Sequence, residues 1–447
     1  MIDSTRTAVL DRPAAGAAPV PTAPRADDRR GPADRRPLIT VLVPAHDEGD
    51  RITATLTGLA GQTLPPSRVV VVADNCTDDT VARALAAGAE VLETVGNRDK
   101  KAGALNQAWR LRFRRQTVGD RRDADRRRAD RRSAAPAAVG SAYAGSERRN
   151  PAGGRRGAAL RRTLAERRAA SSGRPDAVDS DLVLVQDADS QLDPGFLAGA
   201  ARHVLADDRM GAVGGTFRGD EGGGFVGHLQ RNEYARYARD VRRLKGKCLV
   251  VTGTAAMFRA ATLREISAAR LEGRLPAGDG QGGIYDTTVL TEDNELTFAI
   301  LHLGYRVLSP MECTLVTEVM PTWRDLWNQR LRWKRGAIEN CFQYGLTGIT
   351  WRYWGRQLLT LLGVLVTFLY LGSIGISLAT EGALHVQPFW LAVTGLFVVE
   401  RVVTVRYRGW KRMLAAGLMY ELLYDLFLQA VHAKAYLDAA LNRERRW

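Results

Sequence analysis

The chain has 447 residues, of which 45% are hydrophobic, and a net charge of +15 at pH 7. This length is sufficient for a domain of about 200–300 residues together with further segments. The four cysteines are scattered and form no Cys-x-x-Cys pair, which argues against a zinc site and against a disulfide framework. Residues 110–175 contain 20 arginines and six acidic residues, and so carry 14 of the 15 net positive charges. The basic balance is therefore a property of one segment and not of a folded basic face.

Two segments have the composition of disordered chain. Residues 1–36 are rich in Ala, Pro, Arg and Asp and have no apolar stretch, so we predict a disordered tail and not a signal peptide. Residues 111–179, approximately, combine blocks of arginine with Ala, Gly and Ser, which predicts a disordered insertion within a folded domain. The insertion is interpreted either as a solvated spacer or as a contact for anionic lipid headgroups or nucleic acid.

The remaining sequence up to residue 320 alternates short apolar runs with amphipathic segments. Its first half predicts strands at Leu38–Val43, Arg68–Ala73 and Glu90–Glu93, and helices at 49–61, at 81–87 and from Lys100 onwards. Its second half predicts strands at 182–185, 210–217 and 305–308, a strand and turn with Gly253 at 248–259, helices at 194–207, 226–245 and 294–303, and a glycine-rich loop at 268–284. This alternation is typical of an α/β fold with a mostly parallel sheet.

Asp187 and Asp189 follow the apolar strand in the stretch DLVLVQDADSQLD. Residues two apart in extended chain point to the same side, so both carboxylates can face one ligand at the sheet edge where open α/β sheets bind ligands. Two such oxygen donors suit Mg²⁺ or Mn²⁺, and a metal with open positions can hold a diphosphate. The alternative is a solvated turn whose aspartates cap the helix that begins near Pro194.

The C-terminal part of the sequence predicts contact with a membrane. Pro321–Tyr344 is amphipathic and combines tryptophan with arginine and lysine, which indicates an interfacial helix at 321–345. Leu358–Ala379 has 22 residues without a charge and is long enough to cross a bilayer. Two further candidates, Phe389–Val405 and Met413–Val431, are also apolar, but charged residues interrupt both. We therefore predict a membrane region at 357–434 with two to three membrane helices.

The charges around these segments predict their orientation. Basic flanks at 352–356 and 406–412, against a loop at 380–388 without Lys or Arg, place these flanks and the folded domain before them in the cytoplasm. The basic C-terminal end conflicts with three full spans, so the third candidate is interpreted as a span, a re-entrant segment or an interfacial one. Glu421 and Asp425 share a helical face, and since charges in lipid are costly we expect them to face protein, water or substrate.

Five polar elements stand in order between residues 38 and 345. They are Pro44…Glu48 with Asp74, Lys101-Ala102-Gly103…Asn106, Asp187-x-Asp189, Thr291-Glu292-Asp293 and Gln329-x-x-Arg332-Trp333. In this order, and followed by membrane candidates, they make the chain resemble family 2 glycosyltransferases, in particular the membrane-bound cellulose, chitin, hyaluronan and poly-N-acetylglucosamine synthases. The resemblance implies a GT-A fold (here a catalytic domain at 37–320) and an inverting transfer from a nucleoside-diphosphate sugar, usually a UDP-sugar.

The resemblance also implies roles for individual residues. Asp187 and Asp189 are implied as ligands of Mg²⁺ or Mn²⁺, and Asp293, with Glu292 beside it, as the catalytic general base. Trp333, Gly253 and Thr254 are implied at the acceptor and sugar end. The residues implied in nucleotide-sugar binding are Glu48, Asp74, Lys101, Asp187, Gln329, Arg332 and Trp333.

The chemistry of an inverting transfer agrees with these roles. One base must take the proton of the acceptor hydroxyl while the nucleotide departs from the other face, and a carboxylate within hydrogen-bond reach suffices. A divalent metal, lysine and arginine stabilise the departing diphosphate. Gln329, Arg332 and Trp333 lie on or beside one helical face, so the indole can stack on a sugar ring while the guanidinium reaches phosphate.

Each of these residues also has a structural interpretation. Trp333 can be an interfacial anchor and Arg332 a contact for lipid phosphate. Asp293 can be a carboxylate favoured by a helix N-terminus, and Lys101 a surface lysine. The stretch around Gly253 can be a tight buried turn.

We therefore expect a multi-pass inner-membrane glycosyltransferase that transfers sugar from a UDP-sugar to a growing β-linked polysaccharide at the cytoplasmic face. The alternative is a single addition to a lipid or lipid-linked acceptor, which the small membrane region favours. A third hypothesis is a non-catalytic scaffold that binds anionic polymer, but it gives the acidic residues no purpose.

Besides donor and acceptor we expect membrane lipid as a partner and no specific nucleic acid. With two or three predicted spans, translocation of the product stays an open question, and a homo-oligomer or a partner subunit for export is one of the alternatives.

Overall fold

The computed structural model describes residues 36–113, 180–382, 388–406, 409–441 and 443. The predicted N-terminal tail and the predicted insertion therefore lie almost wholly outside the described residues. The chain divides into two compact units, one formed by residues 1–107 with 180–447 and the other by residues 108–179. Of the second unit the structure describes 108–113, which include the end of a helix.

Among the described residues of the first unit, ten strands form two sheets. In chain order they are β1 (Ile39–Ala45), β2 (Arg68–Ala73), β3 (Glu90–Glu93), β4 (Leu182–Gln186), β5 (Gln191–Leu192), β6 (Met210–Gly214), β7 (Thr216–Gly219), β8 (Ala255–Arg259), β9 (Arg306–Leu308) and β10 (Thr314–Thr317). The main sheet has the order β3-β2-β1-β4-β8-β6-β9, and a small sheet has the order β5-β10-β7.

The described helices alternate with these strands and then dominate the C-terminal part. They are α1 (Gly49–Ala60), α2 (Thr80–Ala86), α3 (Lys100–Arg112), α4 (Phe196–Ala206), α5 (Gly224–Arg243), α6 (Ala260–Leu271), α7 (Glu292–His302), α8 (Trp323–Tyr344), α9 (Trp351–Glu381), α10 (Pro388–Thr404), α11 (Trp410–Gly417) and α12 (Leu422–Ala440).

The main sheet is mixed: four of its six strand pairings are parallel and two are antiparallel, where the sequence predicts a mostly parallel sheet. β1 pairs in parallel with β2 and β4, and β2 with β3, but β8 is antiparallel to both β4 and β6. All five residues of β4 are buried, because helices cover both faces of the sheet at its centre. The apolar side chains of β1, β2 and β4 pack with α1 and α4 in one continuous core.

Three predicted elements have different bounds in the structure. The segment 210–217 is not one strand but β6 and β7, which belong to different sheets; the chain turns at Gly215, where an added Cβ would lie 2.3 Å from Leu315. Only Ala255–Arg259 of the segment 248–259 is a strand. The predicted loop at 268–284 begins later, because α6 continues to Leu271 and the chain then turns at Gly273, whose φ is +74°.

The C-terminal helices agree with the prediction in part. α8 begins after Thr322, whose side chain accepts a hydrogen bond from the backbone N–H of Asp325. Among the described residues, one helix, α9, is long and apolar enough to cross a membrane. The third candidate, Met413–Val431, is not one continuous helix, since it is divided between α11 and α12. Two to three membrane helices therefore remain a prediction.

Candidate active site

The ends of several strands bring the predicted residues to one edge of the main sheet. β1, β2 and β4 run in parallel, so the segments with Glu48, Asp74 and Asp187 leave the sheet on the same side. β8 runs the opposite way, and Gly253 and Thr254 precede it at this same edge. The backbone N–H of Asp187 donates to the carbonyl of Thr254 at 2.9 Å, which joins the two segments.

Lys101, in the first turn of α3, is the central cation of the site. Its Nζ lies 2.5 Å from Oδ1 of Asp187, donates to the carbonyl oxygen of Gly253 at 3.1 Å, and is 3.7 Å from Oε1 of Glu292. Burial disfavours the charged amine, but the carboxylates of Asp187 and Glu292 outweigh it and raise the pKa of Lys101. The amine is thus held charged among carboxylates, as part of the site and not as a surface lysine.

Asp293 lies in the first turn of α7 and has a fixed orientation. Its Oδ2 accepts a hydrogen bond from the backbone N–H of Gly253 at 3.1 Å, and its Oδ1 accepts one from the backbone N–H of Asn294 at 2.8 Å. Burial, and next the negative charge of Glu292, raise the pKa of Asp293 from 3.8 to about 6. A carboxyl group with such a pKa can accept a proton near neutral pH.

The turn that carries the two aspartates is tied down on both sides. Thr55 donates its hydroxyl to the carbonyl of Ala188 at 2.6 Å, and Ser190 donates its backbone N–H to the carbonyl of Asp187 at 3.2 Å. Ser190 Oγ also lies 3.1 Å from Oδ1 of Asp189. These contacts hold the backbone between the two carboxylates in place.

The carboxylates around this turn have the properties of a cation site. Burial, and next the charge of Asp189, raise the pKa of Glu48 from 4.5 to about 7. Burial also raises the pKa of Asp187, with Asp189 acting in the same direction and Lys101 against it. Negative charge is therefore only partly compensated by protein cations here, and hard oxygen donors of this kind fit Mg²⁺ or Mn²⁺.

A cavity of about 1980 Å³ opens in front of the site. Ten of the twelve predicted residues line it: Lys101, Asp187, Asp189, Gly253, Thr254, Glu292, Asp293, Gln329, Arg332 and Trp333. Its wall continues past the site along α9 and α12, where Tyr353, Gln357 and Lys434 contribute. The cavity is larger than the roughly 300–1,000 Å³ of a typical small-molecule pocket.

Glu48 and Asp74 lie outside this wall. Asp74 is buried, and its Oδ1 accepts hydrogen bonds from the hydroxyl of Thr94 at 2.7 Å and from the amide of Asn75 at 3.0 Å. Glu48 lies close enough to Asp189 for its pKa to respond to that charge. Both therefore share the sheet edge with the site but do not face the cavity.

Gln329, Arg332 and Trp333 share one wall of the cavity, as their spacing in a helix predicts. Trp333 is 38% exposed, so part of its ring is open to a ligand. Arg330, between Gln329 and Arg332, is buried instead; its guanidinium lies 4.4 Å from the centre of the Trp333 ring.

Two residues with no predicted role, Arg330 and Tyr285, belong to the site's surroundings. Tyr285 is 4% exposed, and its backbone N–H donates to the side chain of Asn106 at 2.9 Å, while the Asn106 amide donates to the Tyr285 carbonyl at 2.8 Å. Asn106 belongs to the motif Lys101-Ala102-Gly103…Asn106, so the sequence singles out one partner of this contact. No signal existed for Arg330, because a charged position on an amphipathic helix is normally exposed.

The mixed sheet with a carboxylate-lined cavity at its edge defines the class of protein, an α/β glycosyltransferase with a GT-A-like fold. The profile of Glycosyl transferase family group 2 matches residues 182–427, more than half of the chain, and that of Glycosyl transferase family 2 matches residues 40–111. The chain belongs to glycosyltransferase family 2. The predicted resemblance to this family is confirmed.

The sequence identity of this chain to individual relatives and solved structures is low. The poly-beta-1,6-N-acetyl-D-glucosamine synthase of Staphylococcus aureus (strain COL) is 26% identical over 204 residues, which are 44% of this chain and 44% of the synthase. The chain thus spans less than half the length of the curated relatives it matches. The structure of the mannosyltransferase PcManGT from Pyrobaculum calidifontis, in complex with GDP-Man and Mn2+, is similar with a TM-score of 0.53 and 18% identity, over 92% of this chain and 89% of that one. This likeness concerns the fold.

Proposed function

We propose that the protein transfers a sugar from a UDP-sugar, with inversion, to a growing β-linked polysaccharide. The observation that carries this proposal is the convergence of ten residues, chosen from the sequence alone, on one cavity. The similarity to a poly-beta-1,6-N-acetyl-D-glucosamine synthase supports a polysaccharide as product.

In the proposed site, Asp187 and Asp189 hold a divalent metal together with the diphosphate of the donor. Bound Mg²⁺ or Mn²⁺ would supply positive charge where the diphosphate leaves. Lys101 already binds Asp187 and adds a second positive charge on this side. Arg332, exposed on the same cavity wall as Trp333, is proposed to contribute a further positive charge toward the phosphates.

Asp293 acts as the general base in this proposal. Its two backbone hydrogen bonds fix the carboxylate, and a pKa of about 6 leaves it mostly ionised at neutral pH and able to take the proton of the acceptor hydroxyl. Glu292 beside it keeps Lys101 charged and oriented, so Glu292 serves the reaction through electrostatics.

The acceptor is proposed to enter along the wall that carries Trp333. An indole with an open face provides the stacking surface that sugar rings prefer, and Gly253 and Thr254 leave room for the sugar between this wall and Asp293. The size of the cavity supports an acceptor of several sugar units beside the nucleotide.

The protein is proposed to work at the cytoplasmic face of the inner membrane. Exposed leucines cover α9, among them Leu358, Leu359 and Leu369, which fits a lipid environment. The amphipathic helix α8 precedes it and carries the acceptor wall, so the site would lie near the membrane surface. A homo-oligomer or a partner subunit would be needed for export.

A second candidate function is a single addition to a lipid-linked acceptor. One observation favours it: the cavity wall includes Tyr353, Arg356 and Gln357, in the first turns of the apolar helix α9. An acceptor anchored in lipid beside α9 could therefore present its head group to the site.

Release of nucleoside diphosphate (UDP from the UDP-sugars, GDP from GDP-mannose) by the purified protein in nanodiscs tests both functions. UDP-glucose, UDP-N-acetylglucosamine, UDP-galactose, UDP-glucuronate and GDP-mannose are offered in turn with Mn²⁺ or Mg²⁺, and products are sized. One active UDP donor with long products supports the synthase. A product of one sugar on an extractable lipid supports the second function, and turnover of GDP-mannose alone contradicts the UDP-sugar assignment.

A further inference from the structure

Four contacts fix Arg330 beneath the acceptor wall, one of them with Tyr234 of α5, whose ring centre lies 5.8 Å from the guanidinium. Its Nη1 donates to Oε1 of Gln329 at 2.9 Å, and its guanidinium lies 4.4 Å from the centre of the Trp333 ring. Its Nη2 donates to Oε2 of Glu233, on α5, at 2.7 Å. Arg330 is 5% exposed, whereas the side chain of Glu233 is 31% exposed, so the ion pair is buried on the arginine side and open to solvent on the glutamate side.

Glu233 connects this cluster to the C-terminal helix α12. The hydroxyl of Tyr424 donates to the same oxygen, Oε2, at 2.5 Å. Tyr424 is fully buried in an apolar cluster with Val226 and Leu229 of α5 and Leu326 of α8. One carboxylate oxygen therefore receives a hydrogen bond from α8 and another from α12.

The chemistry of the guanidinium explains why an arginine stands here. It is planar, so it can stack on an indole while its edge donates to a carboxylate; a lysine amine offers a point charge without that plane. The guanidinium of Arg330 is buried, so the pair depends on its geometry: a Glu233 that moves away leaves a buried positive charge uncompensated. A shift of Glu233 is therefore expected to move Arg330, and with it the ring on which it stacks.

We propose that Arg330 is a positioning residue of the transfer reaction, and that helix α12 sets the orientation of Trp333 through Tyr424, Glu233 and Arg330. The proposal rests on the proposed function in so far as Trp333 is an acceptor contact. The C-terminal helices then do more than anchor the enzyme: their packing against α5 determines whether the acceptor wall is formed.

The test compares Tyr424→Phe and Arg330→Lys with Tyr436→Phe in the full chain. Tyr436 is the matched control, since it lies on the same helix and donates its hydroxyl to Gln357 at 2.7 Å, but does not contact Glu233 or Arg330. The first readout is ¹⁹F NMR of protein labelled with 5-fluorotryptophan, in which the Trp333 signal is the one that Trp333→Phe removes. The second is the separation of kcat from acceptor KM, with UDP affinity measured by calorimetry in the presence of Mn²⁺.

We expect Tyr424→Phe and Arg330→Lys to shift or broaden the Trp333 signal, and Tyr436→Phe to leave it unchanged. With the donor that wild type uses, acceptor KM should rise about tenfold in Tyr424→Phe, as for the loss of one hydrogen bond to a charged group, while UDP affinity stays within about twofold. A Trp333 signal in Tyr424→Phe that superimposes on the wild type overturns the inference, whether or not any donor is turned over. Absence of turnover by wild type, in contrast, counts against the proposed function.

Discussion

Replacement of Asp293 by asparagine separates catalysis from stability at the proposed base. Asparagine keeps the shape of the side chain but cannot take the proton of the acceptor hydroxyl. Loss of a general base lowers turnover by about 10²–10⁴-fold, which corresponds to roughly 3–5 kcal/mol of activation free energy. UDP affinity should change little, because Lys101 and the aspartates at 187 and 189 remain in place.

The same substitution should have little effect on the free energy of unfolding. The pKa of Asp293 is raised from 3.8 to about 6, so the folded state prefers the protonated form; its stabilising contribution is present below pH 3.8 and is lost as pH rises through about 6. At pH 7 the ionised side chain therefore costs roughly 1–2 kcal/mol once solvent in the open cavity is allowed for. Asparagine removes this cost but loses one of the two backbone hydrogen bonds, about 1 kcal/mol, so the terms nearly cancel.

The assay measures UDP release and thermal unfolding on the same preparations. Asp208→Asn, which removes a fully exposed carboxylate from the surface, is the control for the change in charge. We expect turnover of Asp293→Asn below about 1% of wild type with a Tm within about 3 °C. Turnover above about one tenth of wild type would refute Asp293 as the base, and a large fall in Tm would assign the loss to unfolding.

Three further predictions concern the same site. Since the proposed base must be ionised, kcat should rise with pH through about 6 and then level off, in a pH–rate profile measured at saturating donor. Gly253→Ala should lower kcat about tenfold, because its Cβ would lie 3.3 Å from Oδ2 of Asp293 and 3.5 Å from Nζ of Lys101; Gly58→Ala, with no atom within 4 Å, should leave kcat unchanged. Chelation of divalent metal should abolish UDP release, Mn²⁺ should restore it, and Asp189→Asn should raise the Mn²⁺ concentration needed for half-maximal activity by at least about tenfold.

Part of the site could be predicted from the sequence, because its residues follow a strand or have helical spacing. Asp187 and Asp189 follow an apolar run too short for a helix, so their place at a sheet edge follows from the pattern of the sequence alone. Gln329, Arg332 and Trp333 have helical spacing, and they share one cavity wall. In both cases a local pattern determines which way the side chains point, and local patterns can be recognised in a single sequence.

Features that depend on distant parts of the chain could not be predicted. The direction of β8 is determined by its pairing with β4 and β6, and a short apolar run looks the same in either direction. The burial of Arg330 requires Glu233, 97 residues earlier. Burial, and next the charge of Asp189, raise the pKa of Glu48, and both act on it only in the folded protein.

The burial of Glu421, in the predicted membrane region, could not be predicted from the sequence either, because its partners are distant in the chain. Its Oε2 accepts from Arg236, 185 residues earlier on α5, at 2.5 Å and from Arg401 of α10 at 2.7 Å, while Asn232 of α5 donates to its Oε1 at 2.7 Å. A carboxylate that is 3% exposed needs such partners, since an uncompensated buried charge costs about 3–5 kcal/mol. The start of α12 is therefore held against α5 and α10 by these partners, in agreement with the expectation that Glu421 faces protein, water or substrate. The sequence alone leaves this segment a candidate span, because the partners of Glu421 lie far away in the chain and are recognised only in the folded structure.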